Sequence, residues 1–175
     1  LPSMEDGHVP GMMADRQLYY GYMSAAVDVL RPKLVIDIGT EQGFSSIALS
    51  HPNRDQVVRS YDIIDSRTTW NADAEYHFRN ILDDGPEQAT EYAAADLIFL
   101  DVDPHDGIKE KAMILHLLKY LEKGKTVWMF LDDIDLSDGM GAFWMWLNAQ
   151  PGIMGLNIWS RVSRVTGFGL VRITT

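Results

Sequence analysis

The sequence predicts an α/β fold, a doubly wound and mostly parallel sheet of about seven strands with an antiparallel C-terminal hairpin. Three observations carry this. Four short apolar runs alternate with stretches of helical spacing, the pattern of strands covered by helices on both faces. The first run opens into a glycine turn and the others close on carboxylates, and strand ends are where open α/β sheets bind ligands. The 175 residues are 46% hydrophobic and 23% charged, enough for one domain with a substantial core and no linker, repeat or low-complexity tract to divide it. We therefore expect a single domain over 1–175.

Taken in order, Met12 to Leu30 reads as a leading helix within a leading segment, 1–30. Leu34-Val35-Ile36 and Ile38 form a first strand bounded by Pro32 and Gly39, and Phe44 to Ser50 continues with helical spacing. Gln56 to Ile64 is a second strand, and a poorly marked third ends near Asn80. Pro86 to Ala94 is a weak helix and Ala95 to Leu100 a buried strand. Ile108 to Leu121 is a stronger helix, its Ile108, Ala112, Leu115 and Leu118 recurring every three to four residues. Lys125 to Leu131 is the next strand and Gly139 to Asn148 the last helix. Gly155 to Arg161 and Gly167 to Ile173 then lie close enough in sequence to form an antiparallel hairpin at the sheet edge.

A formal net charge of -10, with no Lys/Arg cluster interleaved with aromatics, argues against a nucleic-acid partner. No apolar run approaches the ~20 residues that cross a bilayer, so the expectation is a cytoplasmic chain without membrane contact. The absence of cysteine excludes disulfides, thiolate metal sites and cysteine nucleophiles. His8, His51, His77 and His116 are scattered without ligand spacing.

The stretch LVIDIGTEQGFSSIAL places an acid at a strand end, a tight turn from Gly39 to Gly43, and a helix start. Its spacing is D-x-G-x-x-x-G. A dinucleotide pyrophosphate is poorly served, because Asp37 and Glu41 would sit near it; a cationic or zwitterionic ligand suits the turn better. Asp62, ending the second strand, is placed to accept from a ribose diol. The alternative is a glycine turn with no ligand.

FLDVDPHDG and FLDDIDLSDG end two strands that lie side by side in a doubly wound sheet. Asp101, Asp132 and Asp133 could then converge, and carboxylates so crowded repel unless a cation lies among them. Oxygen ligands without cysteine favour Mg2+, Mn2+ or Ca2+ over zinc. Asp106 stands where it could cap the helix from Ile108, and Asp135 or Asp138 the helix from Gly139. Asp103 could cap or support the cluster. Phe143, Trp144 and Trp146 read as core, with pocket lining as the alternative.

These residues, D-x-G-x-x-x-G-x-S, the acid closing strand two, D-L-I-F-L-D and L-D-D-I, resemble a class I S-adenosylmethionine-dependent methyltransferase. The likeness spans roughly residues 12 to 173. More narrowly it is to the small divalent-metal-dependent O-methyltransferases of the catechol type and their sugar and macrolide relatives. The resemblance implies a Rossmann-like sheet and methyl transfer from S-adenosylmethionine to a hydroxyl group of a small molecule. It implies that Asp37, Gly39, Thr40, Glu41, Gly43, Phe44 and Ser45 cradle the cofactor, with Asp62 and Ile63 at its ribose, Asn80 at its adenine and Asp101 beside it. The metal positions match Asp101, Asp132 and Asp133.

His105 is the candidate general base, placed to deprotonate the acceptor hydroxyl. Catechol-type enzymes carry a lysine where Pro104 stands, so this loop looks more like that of the sugar and macrolide relatives, which use a histidine. The alternative is a loop imidazole bonded to Asp103 or Asp106. The resemblance also implies that the leading segment, 1–30, caps the site, which makes Tyr19 and Tyr20 candidates for acceptor contacts. The sequence also leaves open a non-catalytic methyltransferase-like domain, a hydroxylase-like relative, and a homo-oligomer. A Mg-dependent phosphatase of the haloacid dehalogenase type fits less well, because about a hundred residues of α/β pattern precede Asp101 and no threonine follows Asp103.

Overall fold

The structure, a computed structural model, describes residues 10–51, 55–158 and 166–175, the first nine of these by backbone only. Helix α1 (Pro10–Leu30) precedes β1 (Leu34–Ile38), α2 (Phe44–Ala48), β2 (Val57–Asp62), β3 (Ala74–Phe78), a 3-10 turn (Ile81–Asp83), α3 (Pro86–Ala89) and β4 (Leu97–Leu100). Then follow α4 (Ile108–Tyr120), β5 (Thr126–Asp132), α5 (Asp138–Asn148), β6 (Ile153–Asn157) and β7 (Phe168–Thr174). The sheet runs β3-β2-β1-β4-β5-β7-β6. Its first five strands are parallel, and β7 pairs antiparallel with both β5 and β6. This is the Rossmann-like architecture the sequence predicts, with the antiparallel β7-β6 pair at the sheet edge and β6 outermost.

Strand β4 explains the two-layer cover. Alternate residues of a strand face opposite sides, and all four of LIFL are buried. Leu97 and Phe99 join Met23, Val27, Val35, Phe130 and Phe168 under α1. Ile98 and Leu100 join Ile36, Met129, Ile114, Leu117 and Phe143 under α4 and α5. Among the described residues no helix is long and apolar enough to cross a membrane.

Sheet order reverses between β1 and β4, which opens a crevice beyond their carboxyl ends. Register does the rest. Ile38 is opposite Leu100 and Leu100 opposite Leu131, so the residues that follow, Gly39, Asp101 and Asp132, reach one rim. A phosphatase nucleophile would stand after the first strand of its fold, whereas Asp101 follows β4.

Several boundaries differ from expectation for local reasons. β2 stops at Asp62 because its carboxylate accepts the amides of Ile63 at 2.7 Å and Ile64 at 3.4 Å, folding the chain into a turn. α3 is only four residues, since the amides of Thr90, Glu91 and Tyr92 bond three residues back and the Thr90 hydroxyl donates to the Glu87 carbonyl. The strand expected over 155–161 is observed at Ile153–Asn157, and 159–161 lie outside the described residues. Ser137, not Asp135 or Asp138, caps α5, accepting from the Met140 amide at 3.1 Å.

Candidate active site

A cavity of about 540 Å3 occupies the rim, bounded by the ends of β1, β2, β4 and β5 and by α1. That is the size of a small-molecule site. Gly39, Thr40, Glu41, Phe44, Ser45, Asp62, Ile63, Asn80, Asp101, His105, Asp132 and Asp133 all line it, as do Tyr19, Tyr20, Lys109 and Phe168.

The glycine turn is shaped by close approach. Gly39 has φ 86° and its amide donates to the Tyr61 carbonyl at 2.8 Å. Gly43, at φ 90°, lies behind the turn against Thr69. The Glu41 amide donates to Asp62 at 2.8 Å, which ties the turn to the end of β2 while leaving carboxylate lone pairs for a ligand. Asn80 lines the cavity while its side chain accepts from the Leu82 amide and donates to Asp83.

Asp37 and Gly43, expected to touch the cofactor, stand behind the cavity wall. Asp37 points into the interior because it is the fourth residue of a strand buried along its length, and it is fully buried. It accepts from Ser45 at 3.0 Å and Ser60 at 2.8 Å, bracing the turn from below. Burial pushes its carboxyl up to about 6 from the usual 3.8. The native state thus holds this proton more tightly than the unfolded chain, and the stability it confers at low pH is lost as pH rises from about 4 through 6. The interval from 3.8 to about 6 corresponds to roughly 3 kcal/mol. Urea unfolding of wild type and Asp37→Asn is expected to show wild type losing about that much relative to the variant between about pH 4 and pH 7. Parallel pH curves would mean an unshifted carboxyl.

Opposite the turn, Asp101, His105 and Asp133 bring one potential ligand atom each within 4.8 Å of one another. His105 Nε2 is 3.4 Å from Asp133 Oδ2, 3.4 Å from Asp103 Oδ1 and 3.8 Å from Asp101 Oδ1. Asp101 is held well above the usual carboxylate range, first by burial and then by the charges of Asp132 and Asp133. The close set takes His105 as its third member; Asp132, expected there, lines the same rim, and its charge acts on Asp101 ahead of that of Asp133. Asp132 ends an extended strand, and its Oδ1 accepts the Asp133 amide at 2.9 Å. Asp133 follows in the left-handed region at φ 56°. The Asp132 charge also acts on Tyr19, whose phenol is pushed far up first by burial and then by that charge.

The cluster suits a cation on its donor chemistry. The carboxylates of Asp101 and Asp133 suit a hard divalent ion, with His105 beside them, and acids so crowded need positive charge nearby.

The sequence reading omitted Glu110 and Lys109. Glu110 is buried at the start of α4, and its Oε2 accepts the Gly107 amide at 2.9 Å. A residue of its type three after the cap position is the available signal. Gly107, not Asp106, holds the N-cap position, while Asp106 one residue earlier still accepts the Ile108 amide at 2.8 Å. Lys109 Nζ donates to the Asp103 carbonyl at 2.8 Å. The other histidines have structural partners: His116 meets the Tyr92 hydroxyl at 2.8 Å, His51 lies 3.3 Å from Asp28, and His77 stacks on Tyr61. His8 lies outside the described residues. Phe143 is core, and Trp144 packs against Gly155 and Gly169.

No protein family model matches the sequence, and no curated protein does. Solved structures resemble it in fold. The O-methyltransferase from Bacillus cereus, in complex with SAH, aligns with a TM-score of 0.69 at 18% identity over 99% of this chain and 84% of its own. The O-methyltransferase TomG from Streptomyces achromogenes, involved in tomaymycin synthesis and bound to SAM, gives 0.65 at 18% over 90% and 80%. The SAH-bound Podospora anserina methyltransferase PaMTH1 gives 0.67 at 17% over 90% and 79%. The chain thus has the fold of these methyltransferases, at identities where likeness is one of fold.

Proposed function

We propose that this chain is an S-adenosylmethionine-dependent O-methyltransferase that methylates a hydroxyl group of a small molecule with the help of a divalent metal. One observation carries the reading: the glycine turn, the β2 carboxylate and the acidic cluster, far apart in sequence, open into one cavity at the switch point of the sheet. The three solved structures of like fold named above are methyltransferases that hold SAH or SAM.

When bound, S-adenosylmethionine supplies an electrophilic methyl on sulfonium sulfur, and a divalent ion lowers the pKa of a nearby hydroxyl. Gly39, Thr40, Glu41, Phe44 and Ser45 would hold the cofactor, with Asp62 to accept from its ribose and Asn80 on the adenine side. Asp101 and Asp133 would hold the metal, with Asp132 beside them; Mg2+ is the first choice and Mn2+ or Ca2+ the alternatives. His105 Nε2 takes the acceptor's proton. Tyr19, Tyr20, Phe44 and Phe168 screen the reacting groups from water, and the carboxylates favour a cationic sulfonium in their field. The proposal includes a single domain, a cytoplasmic setting and no nucleic-acid partner, the last supported by the net charge of -10.

Calorimetry with S-adenosylmethionine, with and without Mg2+, followed by transfer of labelled methyl to a panel of phenols, sugars and macrolides, tests it. Cofactor binding and metal-stimulated labelling of a hydroxyl are expected. A protein that does not bind S-adenosylmethionine in either condition would sink the proposal.

A further inference from the structure

We infer that Arg67 is a positioning residue for the cofactor turn, acting through the loop 63–71 that straps the turn from outside. This rests on the reading of that turn as the S-adenosylmethionine site. The Gln42 carbonyl accepts the amides of Thr68 at 3.2 Å and Thr69 at 3.1 Å and the Thr69 hydroxyl at 2.8 Å, while Ser66 Oγ donates to the Glu41 carbonyl at 3.3 Å. Farther along, the buried Asn71 donates to the Ser46 carbonyl at 2.9 Å, so the same loop also holds α2.

The turn needs holding. Glu41 is not glycine yet stands at φ 43°, and a residue in that region keeps its conformation only where the surroundings over-determine it. Glu41 and Gln42 line the cavity, as does Ser66 of the strap. A loop that slackened would release the turn and the wall beside it together.

The loop buries little apolar surface of its own, with Ile63, Ile64 and Trp70 60, 63 and 67% exposed. Arg67 supplies the anchor instead. Its guanidinium forks onto Asp65 through two bonds of 2.7 Å, and its Cζ lies 4.1, 4.5 and 4.8 Å from the ring centres of Tyr76, Trp70 and Phe78. Tyr76 and Phe78 belong to β3, so the cation pins the loop to the edge of the sheet. Nη1 is buried and, among the described residues, meets no acceptor. Burying such a donor is costly unless the ring faces take an acceptor's place. An ion pair to a residue two positions away needs no such enclosure; the enclosure is what ties Arg67 to β3. Tyr76 carries the tie onward, its hydroxyl meeting Ser46 Oγ at 2.8 Å and accepting the Asn71 amide at 3.2 Å.

Arg67→Ala is expected to weaken S-adenosylmethionine binding about tenfold by calorimetry while Mg2+ affinity stays at the wild-type value, because Asp101 and Asp133 lie opposite the turn. Arg67→Met, which fills the space of the stem without charge, is expected to match alanine. Arg67→Lys keeps a cation over the rings and is expected to recover affinity to within about threefold of wild type.

Hydrogen exchange of the ligand-free protein reads the strap itself. The amides of Thr68 and Thr69 are expected to exchange faster in Arg67→Ala while those of β1 and β4 keep wild-type rates. Faster exchange spread evenly over the sheet would reduce Arg67 to general stability and overturn the inference, as would local loosening with unchanged cofactor affinity. If wild type binds no S-adenosylmethionine, the parent reading fails, while exchange at Thr68 and Thr69 still decides whether Arg67 holds the turn.

Discussion

Replacing Asp101 by asparagine is expected to reduce metal-stimulated methyl transfer by about 10³-fold while raising the melting temperature of the metal-free protein. Both effects come from one charge. Asp101 closes β4, is held well above the usual carboxylate range by burial, and faces the carboxylates of Asp132 and Asp133 across the rim. Such a group destabilises the fold when ionised without a counterion, and the position is tolerable because a cation offsets it. Asparagine keeps the shape, removes the repulsion and weakens the ligand. Sites built for function often cost stability in this way. The variant should still bind S-adenosylmethionine within about tenfold of wild type, ~1.4 kcal/mol, because the turn and Asp62 are untouched. Thermal melts in EDTA and methyl-transfer assays with and without Mg2+ read the two effects separately. Metal-stimulated turnover at the wild-type rate would remove Asp101 from the mechanism.

The fold was legible because its strands are buried on both faces and so appear as uninterrupted apolar runs; β1 and β4 are found where the runs place them. β3 was nearly silent because it is an edge strand with residues only partly covered, and AEYHF carries little apolar signal. The site was legible where the carboxylate follows directly from a strand end, as Asp62 and Asp101 do. It was not legible in how neighbouring letters divide the space they share. Asp132 and Asp133 look equivalent in the sequence, and the charges of both act on Asp101, yet it is Asp133 that brings an oxygen within 4.8 Å of ligand atoms of both Asp101 and His105. Asp37 stands behind the cavity wall because parity along β1 turns it into the interior, and sequence spacing reports proximity to a turn without reporting which way the side chain faces. Glu110 was hidden because a glutamate early in a helix is ordinary, and only the loop bearing His105, folded back over it, gives it a second partner.

Gly39→Ala is expected to be the most damaging single methyl in the protein, costing about 3 to 5 kcal/mol and abolishing cofactor binding. Two independent effects combine. At φ 86° an alanine is strained by about 1 kcal/mol or more wherever it stands. The steric clash is larger: a Cβ at Gly39 would lie 1.5 Å from the carbonyl oxygen of Asp101. That neighbour is backbone at the end of a central strand, locked by the Asp101 amide's bond to the Ile38 carbonyl at 3.0 Å, so it cannot swing aside as a side chain would. Relief requires β1 and β4 to part at the switch point, which moves the cofactor turn and the first acid of the cluster together. Gly43→Ala makes the control, since its Cβ would approach Thr69 at 2.9 Å in a loop behind the cavity, where a smaller loss is expected. Chemical denaturation gives the stability change and calorimetry with S-adenosylmethionine the binding. If Gly39→Ala were as stable as wild type and bound the cofactor normally, the close packing of the turn on the strand bearing Asp101 would be wrong, and with it the shared rim on which the proposed chemistry depends.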